Sequence, residues 1–214
     1  MTQPTLDHET VRKPFLPKVP APPGARIDPA WHIPGDEECF SLWDKFEMFE
    51  NVRRHSMTVA EVATCVAQRG LEHGYDVNVR LIRASALLHD LAKTYSIKFG
   101  GNHSQLGGAW VQDLTGNPVL ASGVTHHVYW PFDIDLNKYF HQLAVLYADK
   151  RVQHDIVVGV EPRFDDLIKR YGTTDLIASR IRITKTQAIE VERTFDEALG
   201  ITLNECSFDS GRME

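Results

Sequence analysis

The run Leu87-Leu88-His89-Asp90-Leu91-Ala92-Lys93 sets an imidazole and a carboxylate side by side at the end of an apolar segment. A fold that buries the leucines buries this pair with them. A buried carboxylate is costly unless a cation or several hydrogen bonds satisfy it. The chain offers partners in widely separated places: His55 upstream, and His103, His126, His127 and Asp149 downstream. The fold therefore has to gather distant segments around one polar point.

The apolar spacing reads as helical almost throughout. Asp36 is placed to cap a helix running to about Phe49. A second helix spans about 51–73, with Val52, His55, Val59, Val62 and Val66 stepping by three and four, so His55 lies on its inward stripe. A third covers about 78–91 and carries Val79, Ile82, Ala86 and His89 on one face. Residues 93–102 read as a loop. Helices follow over about 103–114, where Gly107 and Gly108 allow close contact, over 117–127, and over 136–153. Two more cover 163–171 and 174–199. The only β-like run is Ile156–Val160. These segments predict an all-α bundle of about seven or eight helices.

Eight prolines fall in residues 1–35 (Pro4, Pro14, Pro17, Pro20, Pro22, Pro23, Pro29 and Pro34), which excludes a regular helix there. An extended arm anchored by Phe15 and Trp31 is expected. The domain limits expected are 1–35 for the arm, 36–172 for the main domain, 173–203 for a C-terminal helix on or beyond it, and 204–214 for a loose tail.

A formal charge of −6 argues against a general nucleic-acid binder, which would show a basic patch. The three cysteines, Cys39, Cys65 and Cys206, form no CxxC pair, so neither a disulfide framework nor a thiolate zinc site is expected. The opening MTQPTLDHET lacks the basic and apolar regions of a secretory signal, and no apolar run approaches the roughly 20 residues of a membrane span. A cytoplasmic protein without a membrane partner is the expectation. His8, His32, His73, His141 and His154 are assigned to surface or packing, and Arg53 and Arg54 to an exposed helix face.

Each candidate ligand falls on, or at the end of, a different helix. Imidazole with carboxylate and no thiolate suits iron, manganese or zinc, and in some sites nickel or cobalt. The supply exceeds one tetrahedral centre and fits two six-coordinate ions sharing a carboxylate, with Asp90 the natural bridge because it has two oxygens. Two ions about 3.5–4 Å apart can activate water and clamp a phosphoryl group. Lys93, three residues past Asp90, can reach a phosphate oxygen as a point charge, and Lys150 and Arg151 beside Asp149 are candidates for the same role.

The order His55, His89-Asp90, Asp149 resembles the HD-domain metal-dependent phosphohydrolase superfamily over residues 36–172. The extra histidines resemble its dinuclear branch. The stretches LLHDLAK, NHSQLGGAWV and LYADK look most like the bacterial HD proteins that symmetrically cleave diadenosine tetraphosphate. The adjacent His126-His127 is similar to cyclic-dinucleotide phosphodiesterases of that branch, but the Val-Tyr-Trp-Pro that follows is not the HD-GYP signature. The resemblance implies one metal on His55, His89, Asp90 and Asp149. It implies a second on Asp90, His103 and His126, with His127 as a further candidate, and Lys93 on the substrate phosphate. It implies an enzyme taking two divalent ions, iron first with manganese, nickel, cobalt or zinc as alternatives. The expected reaction is hydrolysis of a nucleotide phosphoester or phosphoanhydride, a dinucleoside polyphosphate first, with Asp90 and Lys93 as catalytic residues. The partner is a small nucleotide and no stable nucleic-acid complex; a homodimer is left open. Two alternatives remain: an HD-type di-iron oxygenase, and a non-catalytic HD module that binds a nucleotide.

Overall fold

The computed structural model describes residues 28–203. The expected tail 204–214 with Cys206, and the arm as far as residue 27 with Phe15 and His8, lie outside the described residues. Of the expected arm, the described part packs down: Trp31 and Ile33 lie against the core, and the Asn117 amide donates to the His32 carbonyl at 3.1 Å.

The fold is all-α. Helix α1 (Asp36–Lys45) starts where Glu38 accepts the Gly35 amide at 3.0 Å, and three acids sit in its first turn against the positive end of the helix dipole. Helix α2 (Glu50–Glu72) buries Val52, His55, Val59, Val62 and Val66, the stripe its sequence spacing dictates. Helix α3 (Val79–Leu88) opens on Asn78, whose side chain accepts from Leu81. Four turn residues, His89 to Ala92, separate it from the short α4 (Lys93–Phe99). The sequence pattern predicts a loop over 93–102, and a helix stands in it. The helix escapes periodicity because one side faces outward: Tyr95, Ile97 and Phe99 are all exposed, so apolar residues mark no buried stripe.

Helix α5 (His103–Thr115) is capped by Asn102 and stopped by Gly116 at φ 63°, a conformation in which a side chain would be strained. Helix α6 (Pro118–His126) combines an Asn117 cap with proline in its first turn, where the missing amide costs nothing. Together α5 and α6 form a close pair, because a Cβ on Gly108 would collide with Thr125 and one on Gly107 would lie 3.2 Å from Val124 Cγ1. Helix α7 (Leu136–Lys150) is buried from Phe140 through Lys150. A small hairpin, Val152–Gln153 with Ile156–Val157, leads to α8 (Val160–Tyr171) and the long α9 (Asp175–Leu199).

The core runs through α2, α3 and α7, where Val59, Val66, Leu87, Leu88, Leu143 and Tyr147 are fully buried. Burying side chains of this size stabilises by about 1.5–3 kcal/mol each. Polar ties fix the outer helices. The Trp43 indole donates to the Leu87 carbonyl at 2.9 Å, joining α1 to the end of α3. Gln187 on α9 both accepts from and donates to the backbone of Trp130. No helix among the described residues is long and apolar enough to cross a membrane.

Candidate metal centre

Helix ends build the site. His89 follows the last residue of α3 and His127 the last of α6; His103 opens α5; Asp149 lies in the last turn of α7; His55 comes from the second turn of α2. Carbonyls in the final turn of a helix have no partner within the helix. Two rings use them: His89 Nδ1 lies 2.6 Å from the Ala86 carbonyl, and His127 Nδ1 lies 2.7 Å from the Val124 carbonyl. His55 Nδ1 does the same 2.7 Å from the carbonyl of His154, which sits at φ 58° in the hairpin turn. A carbonyl only accepts, so each Nδ1 carries the proton. Each Nε2 of a neutral ring is then a bare lone pair.

Those lone pairs converge on carboxylates. His55 Nε2 is 3.1 Å from Asp149 Oδ1, and His89 Nε2 is 3.8 Å from the same oxygen. Asp90 faces both ways. Its Oδ2 lies 3.7 Å from His89 Nε2, while its Oδ1 lies 3.3 Å from His103 Nε2 and 3.6 Å from His127 Nε2. Two ligand groups result, His55 with His89 and Asp149, and His89 with Asp90 and His127. A ring nitrogen has one lone pair and cannot serve two ions. The carboxylate of Asp90 has an oxygen on each side and can.

Acceptor facing acceptor at these distances requires something positive between them. His89 Nε2 and Asp90 Oδ1 are both buried without a hydrogen bond among the described residues. At His89 and His103 protons do not fill the gap: burial above all pushes the fully buried His89 down to about 4 and His103 down to about 3. Burial pushes the Asp90 carboxyl up, yet Lys93, His89, His127 and His103 together hold it well below the usual range; for Asp149, Lys150 and His55 do the same. Neutral imidazoles and ionised carboxylates are the forms that bind metal. The residues fit a divalent cation.

Lys93 lies 3.8 Å from Asp90 Oδ1 and 3.4 Å from His103 Nε2, partly exposed at the edge of the cluster. Three sequence expectations are placed otherwise. His126, named ahead of His127 for the second metal, turns away and meets Trp130 and Phe132 edge-on at 5.4 and 5.6 Å. Neighbours at a helix end point about 100° apart, so only one of the two rings can face inward. Lys150, expected on substrate phosphate, is buried with its Nζ 2.6 Å from Asp149 Oδ2 and 3.0 Å from the His127 carbonyl; it holds a ligand in place. Arg151 points to the opposite side, donating to the carbonyls of Val158 and Leu203 and to the Tyr147 hydroxyl. It ties the chain after α9 to α7.

Sequence reasoning missed His154, whose carbonyl orients His55. The available signal was the pattern Val-Gln-His-Asp-Ile-Val, in which the β-formers Val152, Ile156 and Val157 flank a two-residue turn. It also missed the far wall. A cleft of about 800 Å³ opens over His55, Asp90, His103, His127 and Asp149, and α8 and α9 line its opposite side.

Residues 52–144 match the HD domain family. The match holds His55, His89, Asp90, His103 and His127, and ends just before Asp149. Among curated proteins, Ribonuclease Y from two strains of Dehalococcoides mccartyi is 35% identical over 78 residues, covering 36% of this chain. The chain spans only 14% of the length of those proteins. An uncharacterized protein of Methanocaldococcus jannaschii, MJ0778, is 26% identical over 51% of this chain and 74% of its own length. A crystal structure from an uncultured Thermotogales bacterium, described as a predicted HD superfamily hydrolase, superposes with a TM-score of 0.46 at 17% identity, over 78% of this chain and 94% of that one.

Proposed function

We propose that the protein is a metal-dependent phosphohydrolase that cleaves a nucleotide phosphoester or phosphoanhydride, with a dinucleoside polyphosphate the favoured substrate. The HD domain match supports the reaction class. The observation that carries it is the buried pair of orphaned atoms, His89 Nε2 and Asp90 Oδ1, set between two ligand groups. His55, His89, Asp149 and one oxygen of Asp90 would hold one ion; the other oxygen, His103 and His127 would hold the second. Iron is favoured, with manganese, cobalt, nickel or zinc as alternatives. When bound, such ions lower the pKa of water and neutralise phosphoryl charge.

The side chains supply the rest. Lys93 sits at the cleft edge within reach of a non-bridging phosphate oxygen and steadies it as a point charge. Lys150 fixes Asp149, and three main-chain carbonyls fix His55, His89 and His127, so the reacting phosphorus meets an oriented set of groups. Water adds to phosphorus opposite the leaving oxygen, and no side chain becomes covalently attached.

Metal analysis of protein purified without chelator, followed by a hydrolysis panel with Fe, Mn, Co and Ni, tests this reading. About two ions per chain with release of mononucleotides is the expected result. A chain that retains no metal and turns over no phosphoester with any of them overturns it. The Ribonuclease Y match favours a second reading, cleavage of an RNA phosphodiester. A short RNA oligonucleotide in the same panel separates the two.

A further inference from the structure

The wall opposite the metal cluster is built by α8 and α9, beyond the segment that matches the HD domain. Arg163 on α8 is 9% exposed, yet its side chain makes no hydrogen bond among the described residues, and its Nε is buried without an acceptor. Its ionic neighbour is Asp166, 3.8 Å away, and that carboxylate is already taken by Arg170, whose Nε is at 2.8 Å. A guanidinium has five donors and does not deprotonate in proteins. Leaving such donors unmet costs about 1–3 kcal/mol, more when the group is charged. Other cations of the cleft are engaged: Arg54 with Asp155 at 3.0 Å and Lys150 with Asp149. Among the described arginines of the cleft, Arg163 has its side-chain donors left over.

The same wall exposes apolar surface. Tyr171 at the end of α8 is 52% exposed, Ile177 on α9 is 37% exposed, and Ile181 lines the cleft one turn further on. A cleft of about 800 Å³ is far larger than one phosphate and has the size of sites that enclose drug-sized ligands. An unmet fork of donors beside an aromatic and aliphatic shelf, across from a phosphate-handling floor, matches one kind of molecule. We infer that Arg163 binds a second anionic group of the substrate and that Tyr171 with Ile177 packs against its heteroaromatic ring. These residues select a nucleoside polyphosphate over a simple phosphomonoester. This inference rests on the hydrolase reading for what the floor does.

Calorimetric binding to the metal-loaded full chain tests it without turnover, using two uncleavable probes, α,β-methylene-ADP and methylenediphosphonate. Arg163→Gln is expected to weaken both probes about tenfold, the equivalent of one charge-assisted contact. Tyr171→Ala is expected to weaken only the ring-bearing probe, about fivefold. Arg193→Gln, on the exposed side of α9, should change neither. Wild-type affinity of Arg163→Gln for both probes overturns the subsite, as does an equal loss of both in Tyr171→Ala. Should Arg163→Gln fail to fold, the Tyr171→Ala pair of affinities decides alone. Absence of phosphoester turnover in the wild type would remove the hydrolase reading and leave these affinities readable. Unchanged affinities with turnover intact would remove this subsite only.

Discussion

Two buried imidazoles, His89 and His141, share one core and have opposite fates. Burial pushes both down, His89 to about 4 and His141 to about 3. His141 on α7 meets neutral partners. The Ser85 hydroxyl gives its proton to the Leu120 carbonyl at 3.0 Å, so it receives the Nε2 proton of His141 at 2.9 Å. Gln142 beside it donates to Ser122. Among the described residues, no carboxylate enters that cluster. His89 instead turns a bare Nε2 toward two carboxylates, Asp90 and Asp149. Burial of a histidine is therefore no sign of chemistry by itself. A lone pair aimed at an acid, with its own proton held elsewhere, is.

The largest effect separating these regions is expected at Asp90. Asp90→Ala removes oxygens facing both ligand groups, so metal content should fall toward zero and phosphoester turnover by on the order of 10³-fold or more. Retention of two ions per chain would break the contrast at its root. Lys150→Met comes next. It leaves Asp149 as a buried unpaired charge and should cost about 3 kcal/mol in the metal-free chain, read by urea unfolding. Added divalent cation should recover much of that loss. A Ser85→Ala change in the neutral cluster should cost about 1 kcal/mol, with no response to metal.

The adjacent pair at the end of α6 sharpens the comparison further. His127→Ala should cost one ion per chain by metal analysis, while His126→Ala should leave metal content unchanged and lose only its ring contacts. The smallest effect concerns pH. The folded value for His141 lies below that of the free side chain, so the unfolded chain takes up this proton first. Its contribution to stability is complete above about pH 6.5 and is lost progressively as pH falls toward 3. Denaturation of His141→Asn between pH 7 and 4 should show a slope shallower than wild type by at most about 1.4 kcal/mol per pH unit.

Much of this was legible in the sequence because the apolar spacing around the site is regular. The stripe of α2 turned His55 inward, and the leucines ahead of His89 carried the His-Asp pair into the core. The choice between His126 and His127 was not legible. It depends on the rotational phase of the last turn of α6, which is set by packing of Val124 and Trp130 against other helices. Lys150 and Arg151 posed the same problem at the end of α7. Composition makes both look like anion binders, and only the three-dimensional neighbours show one clasping Asp149 and the other gripping the chain beyond α9. Arg163 gave no signal at all, since an arginine with unmet donors reads like any other in a charged helix.

The three carbonyls that hold the Nδ1 protons of His55, His89 and His127 also bear on how the protein handles metal supply. Because the main chain aims the rings, their orientation is cast during folding. A cation entering there would meet three Nε2 lone pairs already oriented, and the helices would not have to move to receive it.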